Sequence, residues 1–388
     1  MNLQKYKNKT ILLFGKSRAF SSEEFKSQML FHKINITDVI DENVLLVVDG
    51  KMMTPYEQNA SEELYKQNKY EFMDIDALER ELAQTIDADT LLMSLKLSHD
   101  KNRLKDFLTN NMIKDEIFFK LLKMYNWNKE DFFDNDDNRD VSAAFILRFY
   151  ENIERNHNVQ YATTGFVHLV SQAKDATLLK EIVNLQPISF HPKLRCAIAM
   201  NTHCDSSMQR GFFKSGDERV LEALSFNKTL DAPLVKELVN DEYLANNIAS
   251  TLFLNEELFV FLKEYKTSLA KNESLSPQMQ KELLNLEDMQ VYFALTQNNN
   301  LEISSINLLL DIANEEIKSA IYENSSIPAE ILQEAYKDEK NHASLAKNEN
   351  TPIDILYQLQ LDARYERSVK TNAGYGKHIQ SENIGWLV

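Results

Sequence analysis

"SLAKNE" is written twice in this chain, at Ser268–Glu273 and at Ser344–Glu349. A six-residue word repeated in an otherwise complex sequence points to a repeating structural unit. Aligned on its asparagine, Asn272 and Asn348 enclose Asn298 and Asn324. Extension in both directions adds Asn201, Asn227, Thr251 and Asn372, at spacings of 21 to 26 residues. Three residues before these anchors stand Ile198, Leu224, Ile248, Leu269, Leu295, Ile321, Leu345 and Val369, all aliphatic. Three residues after, Cys204, Leu230, Leu254, Leu275, Leu301 and Ile327 continue an apolar column, and Thr351 and Tyr375 close it.

One unit reads as two helices. The first ends near the anchor, where asparagine tolerates the left-handed conformation that stops a helix. A turn follows, and Pro233, Pro277, Pro328 or Pro352 starts the second helix where a missing N–H is harmless. Apolar residues near eight and eleven positions past the anchor share one face of that helix. Acids such as Asp241, Asp288, Asp338 and Asp362 either end it or begin the next. Such a hairpin cannot bury its apolar face alone, so stacking on neighbours is required. "LAKNENTPIDILYQLQLD" (Leu345–Asp362) resembles the leucine-rich repeat variant, a two-helix α-solenoid repeat related in shape to HEAT repeats. The resemblance implies an all-α solenoid over residues 161–388, closed by a cap in the tail Asn372–Val388, where Trp386-Leu387-Val388 offers a docking motif as a second reading. Residues 86–160 read as a helical connecting region or degenerate repeats. An earlier unit is anchored at Asn110, with Phe107, Ile113, Phe118 and Leu121 in register.

Residues 1–85 follow a different pattern. "KTILLFGK" (Lys9–Lys16), a stretch around Ile34–Val39, "NVLLVVDG" (Asn43–Gly50) and "YEFMDI" (Tyr70–Ile75) read as strands. They alternate with helices over Ser21–Lys33, Asn59–Lys69 and from Asp76 onward. Apolar strands alternating with helices predict a small α/β domain built on a mostly parallel sheet. Ser21 or Ser22 caps the first helix, with Glu23 and Glu24 placed against its positive end. This layout, with Leu13-Phe14-Gly15 ending the first strand and Met73–Leu78 turning from the last strand into the last helix, resembles the BRCT domain. The resemblance implies an interaction module of the kind found in DNA-repair and replication proteins. Phe14 stands where phosphopeptide-binding members carry a hydroxyl residue, the Asn59–Lys69 helix offers no lysine at its start, and Ala77 stands near the family's tryptophan. Gly15, Lys16, Ser17 and Arg18 are the candidate partner-binding residues at that place. "FGKS" is no phosphate loop, because Thr10 occupies the position of the first glycine.

Composition narrows the function classes. Only 8 glycines and 7 prolines favour helices and leave little for phosphate-cradling loops. A net charge of −16 opposes nucleic-acid binding unless a local basic face overrides it. Two cysteines make no disulfide framework and fit a reducing compartment. Ile11–Phe14 is too short for a signal peptide's apolar core, and no stretch reaches membrane-span length, so a cytoplasmic protein without membrane contact is expected.

His191, Cys196, His203 and Cys204 match no standard zinc spacing, and Cys204 stands in an apolar column. "DNDDNRD" (Asp134–Asp140) lacks the glycine and the glutamate of a calcium loop and reads as a solvated acidic loop between helices. Neither a cofactor nor a metal is expected. Six residues before four anchors, Arg195, Lys266, Lys318 and His342 form a basic line suited to an acidic partner. The leading expectation is a non-enzymatic adaptor that binds another protein. The alternatives are a DNA-repair or replication accessory that contacts DNA directly, and an enzyme with a site hidden between head and solenoid.

Overall fold

The structure, a computed structural model, describes residues 3–150 and 163–382. It is mostly helical, with one small parallel sheet at its N-terminal end. The chain divides into two compact units, the first holding Met1–Ala173 and Thr177–Leu194, the second Lys174–Ala176 and Arg195–Val388. No helix among the described residues is long and apolar enough to cross a membrane.

The first unit opens with β1 (Thr10–Phe14), α1 (Ser22–Phe31), β2 (Asn35–Thr37), β3 (Val44–Asp49), α2 (Pro55–Gln67), β4 (Glu71–Asp74) and α3 (Ile75–Thr85). The strands lie in the order β2-β1-β3-β4, all parallel. Leu12, Phe14, Val44 and Val47 pack with Leu64 of α2. Their alternates Ile11, Leu46 and Val48 are equally buried, so both sheet faces are covered, as an apolar parallel sheet requires. Ser21 caps α1 through the Glu24 N–H, as its sequence predicts.

The helix expected over Asn59–Lys69 begins earlier. Thr54 is its cap, Pro55 its first residue, and Glu57 closes a capping box with Thr54. "TPYE" carries that signal in plain view.

Gly15 ends β1 at φ +67, and a Cβ there would meet the Lys51 carbonyl oxygen at 2.5 Å. Gly15→Ala is therefore expected to cost about 2–3 kcal/mol, the sum of left-handed strain and overpacking. A urea unfolding midpoint unchanged from wild type would refute this.

Helices α4 (Ala88–Ser98), α5 (Lys101–Thr109), α6 (Asp115–Leu122) and α7 (Asp136–Phe149) complete the better part of this unit. Phe118 and Phe145 centre an aromatic cluster with Phe119, Phe149 and Phe166. The acidic stretch read as a loop is instead the start of α7. Asn135 accepts from the Asn138 N–H as its cap, and Asp136 and Asp137 sit in the first turn, where the helix dipole favours them.

In the second unit each anchor separates two helices. The leading helices Glu218–Ser225, Glu242–Thr251, Lys266–Ala270, Met289–Leu295, Glu315–Glu323, His342–Lys347 and Glu366–Lys370 pack in series, each on the next. The aliphatic residue three before every anchor, from Ile198 to Val369, is fully buried. Cys204, Leu230, Leu275, Leu301 and Ile327 are buried as well, while Leu254 is half-buried. Asp217, Asp241, Asp288 and Asp338 turn out to begin helices or helical turns, each accepting a backbone N–H two residues on. Pro277 opens its helix at the first residue and Pro233 sits in the first turn, whereas Pro328 and Pro352 occupy the cap itself. The tail Asn372–Val388, read as a cap, is helical over Ala373–Ser381. Trp386-Leu387-Val388 lies outside the described residues.

Candidate functional site

The anchors do something the left-handed reading does not foresee. None of them has a positive φ; Asn324 and Asn348 are extended, at φ −75. From Asn227 onward, each anchor asparagine side chain instead reaches back one unit. Asn298 Nδ2 donates to the carbonyls of Ala270 (3.3 Å) and Asn272 (2.7 Å), and its Oδ1 accepts from the Asn300 N–H (2.8 Å). Asn227, Asn324, Asn348 and Asn372 bond in the same way to the residue two before the preceding anchor and to that anchor itself. All are buried. An amide suits this place because it supplies two donors and an acceptor in one plane, which satisfies carbonyls freed at a helix end.

A second device was hidden in an apolar column. Gln209 and Gln280 stand eight residues past their anchors, where other units carry Val235, Phe259, Ile306, Leu332 and Leu356. Gln280 Nε2 donates to the carbonyls of Leu275 and Asn300, and its Oε1 accepts from the Glu302 N–H. Gln209 makes the matching bonds to Cys204, Thr229 and Asp231. Glutamine in a column that is apolar in five units, and that holds Gln380 in the last, was the available signal.

The basic line does not present four free charges. Arg195 pairs with Asp217 at 3.2 Å and Lys266 with Asp288 at 2.6 Å, so each cation meets the cap of the leading helix of the next unit. The Lys266 bond holds the Asp288 carboxyl below the usual range, backbone N–H groups adding to the effect. His342 stacks on Tyr336 and donates from Nε2 to the Tyr336 carbonyl at 2.9 Å. Lys318, half-buried, forms no ion pair with a described residue. On the leading helix Met289–Leu295, Met289 and Phe293, 45% and 39% exposed, flank a groove of about 400 Å³ with Ile317, Thr267, Gln297 and Lys271.

In the first unit the four candidate residues at the end of β1 come to separate ends. The Gly15 N–H donates to Glu57 Oε1 at 3.0 Å, so a carboxylate of the chain's own α2 takes the donor a bound anion would use. That bond and those from Thr54 hold the Glu57 carboxyl below its usual range. Lys16 is exposed. Ser17 Oγ and the N–H groups of Arg18 and Ala19 all donate to Glu79 Oε1, at 2.7, 2.7 and 3.2 Å. Arg18 lines a cavity.

That cavity, of about 820 Å³, is walled by the loop after β1, the start of α3, the end of α5 and the end of α7. Lys51 bonds Asp76 at 2.7 Å, and Arg148 bonds Asp115 at 2.7 Å, so those charges are spent. Arg18, Arg80 and Asp106 also line it, and their charged groups form no ion pair with a described residue. Burial raises the Asp106 carboxyl above its usual range, with Lys105 offsetting part. Glu79 is fully buried, and its Oε2 has no hydrogen-bond partner. Asn110, the earlier anchor, is buried in this wall and donates to the Ala19 carbonyl at 2.9 Å, with Phe107, Ile113, Phe118 and Leu121 buried around it. Glu79 was findable: it stands on the apolar face of α3 with Ile75, Leu78, Leu82 and Ala83.

His191 stacks on Phe132 and lies 2.9 Å from Asp131, while Cys204 is buried, its thiol pushed up to about 12 by desolvation. Among the described residues no group of three or more His, Cys, Asp or Glu is placed to hold a metal ion. No protein-family model matches the chain, and comparisons with curated proteins and with solved structures found no significant match.

Proposed function

We propose that the protein is a non-enzymatic interaction scaffold: a BRCT-like head followed by an α-solenoid of leucine-rich-repeat-variant-like units, which recognises a partner protein through exposed positions between the anchors. The observation that carries this reading is the row of asparagine bridges. It fixes each unit to the one before through backbone carbonyls, which any sequence supplies, and so leaves the exposed positions free to vary. The strand order β2-β1-β3-β4 with interleaved helices supports the layout of the head.

Partner recognition is assigned to the apolar groove at Met289 and Phe293 rather than to the basic line, because Arg195 and Lys266 are already paired. Exposed aromatic and methionine side chains beside a groove are typical interface anchors. The test is affinity capture with the full chain and with a Met289→Lys, Phe293→Glu double variant. A partner retained by the wild type and lost by the variant, at unchanged thermal unfolding, is the expected result. A partner set indifferent to the groove would overturn the assignment. Salt-sensitive retention of duplex DNA at low ionic strength would favour a DNA-contacting accessory instead.

A further inference from the structure

We propose that the cavity in the first unit binds a small zwitterionic ligand of the amino-acid class, held by Arg18 and Arg80 at its carboxylate and by Asp106 and Glu79 at its ammonium group. This goes beyond the scaffold reading and does not depend on it.

Four observations carry the proposal. The cavity, about 820 Å³, is of the size that small-molecule sites occupy. Its walls present unpaired charge of both signs, Arg18 and Arg80 against Asp106, among the described residues. Those charges do not neutralise one another across the space, whereas the neighbouring Lys51–Asp76 and Arg148–Asp115 pairs are made. Glu79 is fully buried with three donors on Oε1 and none on Oε2.

A buried carboxylate oxygen without a donor costs free energy that a ligand N–H would recover. A purely anionic ligand would satisfy the arginines but face Asp106 and Glu79 with like charge. A purely cationic one would do the reverse. A molecule carrying both groups meets all four. The guanidinium groups suit a carboxylate in particular, since they present paired donors in a plane.

The test uses the full chain and, as probes, the standard free L-amino acids, screened by saturation-transfer NMR and followed by calorimetry. At least one is expected to bind with a Kd below about 1 mM. Its N-acetyl and its carboxamide derivatives are each expected to bind at least about tenfold more weakly, the loss of one charge-assisted contact. Arg80→Gln and Asp106→Asn, both at exposed positions that leave the core intact, are expected to weaken binding by a similar factor at unchanged thermal unfolding. The proposal fails if no amino acid binds with a Kd below about 1 mM. It fails equally if blocking either end leaves the affinity unchanged, or if both variants bind like wild type. Inorganic phosphate binding as tightly, with no effect of Asp106→Asn, would show an anion site and overturn it.

Discussion

Asn298→Asp is expected to lower the unfolding free energy by about 4 kcal/mol at neutral pH, although it changes one atom group for another of equal size. The amide donates to the Ala270 and Asn272 carbonyls from a fully buried position. A carboxylate there points negative oxygen at carbonyl oxygen and supplies no donor. The folded protein then binds a proton more tightly than the unfolded chain, so the folded pKa of the introduced carboxyl is raised. Stability is lost as pH rises through that raised value and recovered as pH falls toward the ordinary carboxylate range of about 4, where the protonated acid donates once. Urea titrations at neutral and mildly acidic pH measure this directly. Asn298→Ala, with no charge to titrate, should cost about 3 kcal/mol at both pH values. A gap between the two variants that does not narrow on acidification would refute the bridge.

Glu79→Ala is expected to cost a comparable amount, about 4 kcal/mol. It leaves Ser17 Oγ and the N–H groups of Arg18 and Ala19 without their common acceptor. The loop between β1 and α1 should loosen first, so tryptic cleavage after Lys16 and Arg18 should accelerate more than cleavage elsewhere. Glu79→Gln keeps one acceptor oxygen and should cost only about 1–2 kcal/mol. Equal losses for the alanine and glutamine variants would show that charge, rather than the three donors, sets the contribution.

These two residues also mark where sequence reading stops. The period, the aliphatic column three before each anchor and the parallel sheet of the head are local or periodic patterns, and the chain states them openly. The reach of Asn298 is not stated, because its acceptors are backbone carbonyls 26 and 28 residues away, and every residue type has one. The asparagine looked like a helix stop because that is its commonest local use. Glu79 meets a loop about 60 residues before it, a distance over which no pairing rule operates. The pairing within the basic line escapes sequence reading for a related reason. Asp288 reads as a helix end or start and Asp217 carries no such signal, yet each is a cap, and a cap with one lone pair committed to a backbone N–H still accepts from a cation.

The exception in the anchor column has a consequence for how the second unit comes apart. Thr251 replaces asparagine and makes a single 3.4 Å bond back, to the Ser225 carbonyl. Asn272 then bonds Ala249, in step with the other bridges, but its second bond goes to Leu252, one residue past the anchor. The row of asparagine bridges is unbroken from Asn272 to Asn372, so the side-chain link that Thr251 makes to the unit of Asn227 is the weakest in the column. Under native conditions that junction is where partial opening costs least, so amide hydrogens before it should exchange as one block and those after it as another. A protein whose bridges were all alike would open from its ends; this one has a seam inside.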